Sequence, residues 1–353
     1  MSNEINDIRE LKDLRVQTFS LYKKTEVKKQ LTLNIVQGNI EQSFYWSAEL
    51  VCSGAFMDLW ETIILIISKN IHLGNPLLPT YIELQFNQFK NIVTNGYNDN
   101  ELAMRNNGKI RKIFAQIIAI LCYSPKRHSF DTVKINKPND YDLTKLTSKL
   151  VAPTTQYGEM IFRPEDPKDL FMAINELAFS LSKQRSNIID ACFWVEWIIE
   201  YECECKANKK NLLCERREDI KVNEKYQKDV IWLIWDTIIL VANQQKNTTS
   251  TKIVNSLLNL FSLHFSSGCK KKRRYLIYFA ISIIIDNYNP QIEIIHNKHH
   301  IQEMLPKIEL IYKQIKKNEQ TPKTDYLFNN SMTPRTNLEK TIEKMDVLND
   351  ILT

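Results

Sequence analysis

Two groups of residues in this 353-residue chain have the types and spacing for chemistry. The first is thiol-based: Cys203, Cys205 and Cys214 lie in a stretch dense in Lys, Arg and Glu. Three thiolates and one further ligand would suit a structural zinc ion, which takes four nitrogen or sulfur ligands in a tetrahedron. The C-x-C spacing departs from the paired knuckles of such sites, so free thiols are the competing reading. His296, His299 and His300 form another set of ligand types, in a polar loop where solvated imidazoles are the plainer expectation.

The second group is cationic. Lys109, Arg111 and Lys112 precede one apolar stretch, and Lys270, Lys271, Lys272, Arg273 and Arg274 precede another. Both fall where a helix should begin, and cations there oppose the helix macrodipole. Helix stability therefore does not account for them. A first turn with free N–H groups and added Lys and Arg is a ready site for phosphate or nucleic acid. The plain alternative is a solvated charge run answered by an acidic face such as Glu215, Glu218 and Asp219. For hydrolysis a nucleophile on a strained turn is wanted, and no G-x-S-x-G occurs. Glu196, Glu200, Glu202 and Glu204 read as an exposed helix face. No catalytic acid or base and no cofactor is expected.

The elements that position these residues should be helices. With 43% apolar and 25% charged residues the chain has the composition of a folded protein,. Its 7 Gly and 11 Pro supply few of the turns a many-stranded β fold needs,. The apolar runs 230–242 and 275–285 are too short or interrupted to cross a bilayer, and no signal peptide opens the chain. The 7 cysteines lie mostly in apolar patterns, as thiols of a reducing compartment do,. An intracellular, non-secreted protein without membrane contact follows, and a net charge of +6 selects no partner by itself,.

The chain also repeats itself. Phe44-Tyr45-Trp46-Ser47-Ala48-Glu49-Leu50 and Leu59-Trp60-Glu61-Thr62-Ile63-Ile64-Leu65 return as Cys192-Phe193-Trp194-Val195-Glu196-Trp197-Ile198 and Ile234-Trp235-Asp236-Thr237-Ile238-Ile239-Leu240. Further on, Leu84 to Phe89 has its echo in Asn259 to Phe265, and the two basic turns have each other. Collinear matches predict an all-α fold of two tandem diverged copies of a three-to-four-helix unit. The boundaries are an N-terminal arm at 1–30, unit one at 31–135, a proline-bearing linker at 136–165 and unit two at 166–312 with an insertion at 202–228. A second linker at 313–335 leads to an amphipathic helix at 336–353, where Thr336 and Glu339 fit a capping box and Leu338, Ile342, Met345, Leu348 and Leu352 share a stripe. Trp46 and Trp194 are expected in the core. A pocket lined by Trp194, Trp197, Trp232 and Trp235 is the alternative use of the aromatic residues.

The run Val36-Gln37-Gly38-Asn39-Ile40 through Tyr45-Trp46 to Ser53-Gly54, followed by Ser68-Lys69-Asn70-Ile71-His72-Leu73-Gly74-Asn75-Pro76 and Tyr123-Ser124-Pro125-Lys126-Arg127, resembles the C-terminal helical collar of clamp-loader-related AAA+ ATPases of the RarA/MgsA family. The likeness covers about residues 36–130 and, more faintly, 186–290. Lys69 and Asn70 replace the family's acidic pair, and the second copy has no Gly-Asn-Pro turn. No G-x-x-x-x-G-K-[ST] loop is present to cradle a nucleotide,. The resemblance implies the collar's task, oligomerisation around DNA, without the motor. The expected function is a non-enzymatic oligomerisation or scaffold protein in DNA replication, repair or packaging, with protein partners or self-association and DNA reached through the basic turns. A structural component inside a viral particle and a sequence-independent nucleic-acid-binding protein are the two alternatives.

Overall fold

Asparagine marks several of the helix starts. Asn107, Asn187 and Asn247 each turn a side-chain oxygen onto N–H groups of the turn that follows, satisfying donors that have no partner within the helix. The computed structural model describes residues 4–97, 100–136, 140–141 and 146–320. It is all-helical, 64% helix in 13 helices without a strand among those residues, and its one isolated bridge joins Gln17 to Lys23.

The first five helices are α1 (Lys24–Gln37), α2 (Ile40–Cys52), α3 (Phe56–Ile66), α4 (Leu78–Thr94) and α5 (Gly108–Tyr123). Helix α1 stops at Gly38, whose φ of 79° is left-handed. The Gly38 and Asn39 N–H groups turn back to the Ile35 and Asn34 carbonyls, the usual closure of such an end. Helix α3 runs on through a π turn at Ile67–Ile71 and a 3-10 turn at His72–Gly74. A short α6 (Gln156–Glu159) precedes α7 (Phe171–Leu181), α8 (Ile188–Ala207), α9 (Ile231–Gln244), α10 (Thr248–Ser262) and α11 (Lys270–Ile285). The described chain closes with α12 (Lys298–Met304) and α13 (Lys307–Lys316).

The two halves share several pairings, although in the second α9 also packs on α10 and α11, with no comparable pairing of α3 in the first among the described residues. In the first, α1 packs on α2, α3 and α5, α2 on α3 and α5, and α4 on α5; in the second, α7 packs on α8, α9 and α11, α8 on α9 and α11, and α10 on α11. Trp60 and Trp235 are both fully buried. Trp60 sits against Phe86, Phe89 and Phe114, and Trp235 against Phe261. Between the halves α4 lies on α10, with Asn259 donating to Glu83 at 2.6 Å and Ser256 to Thr80 at 3.4 Å. Helix α11 reaches across to α3 and to the turns after it, where His72 stacks on Phe279 at 4.6 Å.

Several expected boundaries move. Helix α1 begins at Lys24, before the expected start of the first unit. Helix α8 carries on through Cys203 and Cys205 to Ala207, so the insertion opens as helix. Helices α12 and α13 turn back onto α5 and α2 of the first half. The expected linker around 146–165 covers the second half, with Leu146 and Ile161 buried and the Val151 and Ala152 N–H groups donating to Glu176. Trp194 is buried as expected, but Trp46 is only half-buried, edge-on to Tyr22 and Tyr45. The amphipathic segment 336–353 lies outside the described residues.

Candidate functional site

The first turn of α11 has no side-chain cap and no acid of its own, so its five cations need partners from elsewhere. All five find them. Lys270 is buried and its Nζ lies between Glu202 and Asp229, 2.9 Å and 3.0 Å from the two Asp229 oxygens. Lys271 pairs with Glu200, Lys272 with Glu61 at 3.5 Å, and Arg274 with Glu196 at 2.9 Å. Arg273, buried, pairs with Glu61 and donates at 2.6 Å to the Phe261 and Leu263 carbonyls. Those carbonyls close α10, so a guanidinium that opposes the dipole of its own helix favours that of the neighbouring one.

The acids come from three separate stretches. Glu61 stands on α3, Glu196, Glu200 and Glu202 on α8, and Asp229 just before α9. Asp229 also accepts from the Ile231 N–H at 3.0 Å and the Ser267 hydroxyl at 3.1 Å. Glu196 is buried and takes the Tyr278 hydroxyl at 2.6 Å. Burial raises the Glu196 carboxyl above its ordinary range, against the pull of Tyr278 and Arg274. The Glu200 hydrogen bond raises Lys271.

This geometry corrects two expectations. Glu196 and Glu202 are interior, so α8 does not present them as a solvated face. Lys270 and Arg273 are buried on carboxylates of the same chain, while Lys271 and Lys272 pair with carboxylates but stay exposed. The acidic counterpart of the cluster is not the Glu215, Glu218 and Asp219 stretch. A carboxylate accepting from a cation at these distances occupies the N–H donors and the positive charge that a phosphate would use.

The other basic turn is built differently. Asn107 caps α5 through Lys109 N and Ile110 N. Arg111 is buried, donating to the Arg105 carbonyl at 2.6 Å and to Asn106 at 3.1 Å, its guanidinium 4.1 Å from the Tyr312 ring centre. Lys109 and Lys112 stay exposed. A second buried arginine, Arg217, spans Asp166 at 2.6 Å and 2.7 Å and Asp236 at 2.9 Å. Asp166 is lowered because the Arg217 hydrogen bonds, with backbone donors, outweigh its burial. Asp236 is raised by burial. The acid of each Trp-acid-Thr-Ile-Ile-Leu run thus holds an arginine, Glu61 with Arg273 and Asp236 with Arg217.

The cysteine candidates are not gathered. Cys203 is half-buried and Cys205 buried along α8, while Cys214 is buried in the loop beyond, its thiol 3.2 Å from the Asp229 carbonyl. Burial pushes the Cys214 thiol up to about 12, a poor starting point for a thiolate ligand. Among the described residues no three of His, Cys, Asp and Glu are grouped to hold a metal ion. His299 pairs with Glu303 and His300 contacts the Tyr123 hydroxyl. The tryptophans expected as an alternative pocket are packed: Trp232 Nε1 donates to the Tyr226 carbonyl at 2.7 Å and Trp197 stacks on Tyr201.

Beside the charged seam a cleft of about 730 Å³ runs between α3, α4 and the end of α10. Phe56, Phe86, Phe89 and Met104 form its floor, with Lys90 and Glu101 among the charged groups around it. Asp58 there already meets Lys28 at 2.7 Å, and Glu83 holds Asn259. Elsewhere the Gly74-Asn75-Pro76 and Ser124-Pro125 turns meet each other. A Cβ on Gly74 would fall 2.2 Å from the Pro125 carbonyl oxygen, Asn75 donates to the Ser124 hydroxyl at 3.2 Å, and the Arg127 N–H reaches the Ile71 carbonyl at 3.3 Å.

No protein-family model, curated protein or solved structure matches the chain. No described helix is long and apolar enough to cross a membrane. The residues that sequence reasoning missed are Glu61 and Asp229. Their signal was slight: an acid inside an apolar helix, and an Asp directly before one.

Proposed function

We propose that this chain is a non-enzymatic helical assembly protein, two diverged copies of a collar-like unit in tandem, serving as a scaffold in DNA replication, repair or packaging. The observation that carries the reading is the fate of the buried charges. Groups with the types to bind an anion or do acid–base work are used between helices of the same chain, and they tie α3 and α10 to α8 and α11 into one body. A body so cross-linked serves to hold surfaces in fixed relation. The pairings that the two halves share support the duplication, and the meeting of the Gly74-Asn75-Pro76 and Ser124-Pro125 turns supports the collar likeness.

The surface on offer is apolar. Between residues 8 and 22 the chain turns Leu14 and Phe19 inward and leaves Ile8, Leu11, Val16, Leu21 and Tyr22 exposed. Clustered exposed apolar residues mark protein contacts more often than chance. Sequence-independent nucleic-acid binding retains only Lys109 and Lys112 as exposed cations without a described ion pair, two at most of the original eight. The test is sedimentation velocity of the full chain, wild type against Leu21→Asp, with and without duplex DNA. Concentration-dependent self-association that Leu21→Asp weakens, with little salt-sensitive DNA binding, is the expected result. A chain that stays monomeric at every concentration and binds DNA with a steep salt slope would overturn the scaffold reading.

A further inference from the structure

The exposed side chains of the N-terminal arm are displayed at a conformational cost. Leu21 has a φ of 67°, a left-handed backbone that a branched side chain rarely adopts. Two hydrogen bonds hold it there, Thr18 N to the Tyr22 carbonyl at 2.8 Å and Leu21 N to the Thr18 carbonyl at 2.9 Å. Phe19 is pinned in the interior, its N–H on the Ser53 hydroxyl at 2.7 Å. With Phe19 fixed inward, the turn throws Leu21 outward at 60% exposure, with Ile8 at 53% and Val16 at 76%. A loop built only to bury Phe19 would carry Gly or Asn at Leu21 and polar residues around it.

The far end of the described chain arrives at this surface. Asn318 donates to the Ser20 hydroxyl at 2.7 Å, beside Leu21. The Gln320 N–H meets Asp7 at 2.9 Å and its carbonyl accepts the Ile8 N–H at 3.1 Å. From there the sequence continues through 336–353, where Leu338, Ile342, Met345, Leu348 and Leu352 recur at three- and four-residue steps, the spacing of an apolar stripe. That stretch carries Glu339, Glu343, Asp346 and Asp350 against Lys340 and Lys344, while the exposed charges of the arm, Lys12, Arg15 and Lys23 against Glu4, Glu10 and Asp13, balance. The residues between Gln320 and Thr336 can span roughly 50 Å, more than a return to the arm requires.

We propose that segment 336–353 of the same chain docks on the apolar face of the N-terminal arm and covers it until an assembly partner displaces it. This deepens the assembly reading, on which the purpose of the cover rests. A tethered segment competes at an effective concentration of about a millimolar, so self-association through the arm is held down without being abolished.

The test is limited trypsin proteolysis of the full chain, wild type against the double variant Ile342→Asp, Leu348→Asp, followed by mass spectrometry of cuts at Arg15 and Lys23. The variant is expected to be cut at those bonds roughly tenfold faster, as the open population rises, with an unchanged thermal melt. A synthetic 336–353 peptide should restore the protection. Equal cleavage rates in the two proteins would overturn the proposal. So would protection of the wild type that fades on dilution, since a second copy would then be the cover. Faster cleavage with no gain in sedimenting mass would uphold the docking and sink the arm's assembly role instead.

Discussion

The starts of α5 and α11 look alike in sequence and are opposites in space. At α5, Asn107 satisfies the free N–H groups, one cation turns inward onto carbonyls and the Tyr312 ring, and Lys109 and Lys112 face water. At α11 no side chain caps the turn, and every cation is drawn to a carboxylate or carbonyl of another element. The awkward position against the macrodipole was a real signal in both. At α11 it points to internal carboxylates rather than to an external phosphate. A dipole penalty of a few tenths of a kcal/mol per cation is small beside the cost of leaving Asp229 buried without a counter-charge,.

The largest test of that contrast is Lys270→Met against Lys109→Met. Removing Lys270 strands the buried Asp229 carboxylate and leaves Glu202 only Lys206 as counter-charge, and should cost about 3–5 kcal/mol by urea denaturation, while Lys109→Met should stay within about 0.5 kcal/mol. Equal effects would erase the distinction between the two turns. The paired tryptophans extend the comparison, because Trp194 is buried and its counterpart Trp46 is not. Trp194→Ala should cost about 3–5 kcal/mol. Trp46→Ala should cost clearly less, and equal midpoints would contradict their different environments.

A smaller effect is expected from pH. His72, stacked on Phe279 at the seam, has its imidazole lowered to about 4 by burial first and by the charge of Arg127 second. A base whose folded value lies below its free value of about 6.5 binds fewer protons folded than unfolded in between. Stability should therefore be full above that window and fall as pH drops from about 6.5 to about 4, by up to about 3 kcal/mol. His72→Asn, which removes the titrating imidazole, should flatten the fall; an unchanged slope would place the acid sensitivity elsewhere. Smallest of all, Lys112→Gln should leave the melting temperature within experimental error, and a clear loss would show that α5 hides a partner for it.

Where the sequence was legible, the information was local. Helical spacing of Trp and Ile, few glycines, and an Asn before each of several apolar runs were enough for the all-α class and for the order of α2 to α5 and α8 to α11. The partners of Arg273 and Lys270 were not legible, because Glu61 is 212 residues away and Glu202 is 68, and a periodic pattern carries no information about which faces meet. The same reason hides the return of α12 and α13 to the first half. Cys203 and Cys205 were read as part of a polar insertion because Glu and Lys surround them, yet two turns of α8 pass through that stretch with Glu202 facing Lys270. Trp46 matched the repeat in type, and only the position of Tyr22 in the arm reveals that its neighbourhood is open.

The central claim is that Arg273 and Lys272 of α11, through Glu61, join the two halves of this molecule. A double-mutant cycle on Arg273 and Glu61, read by urea denaturation, measures it directly. Arg273→Met and Glu61→Gln should each destabilise, and the double variant should lose less than the two losses added, leaving a coupling of about 1–3 kcal/mol. Strictly additive losses, or an Arg273→Met protein as stable as the wild type, would contradict the claim and return the cluster to the surface as a free anion site.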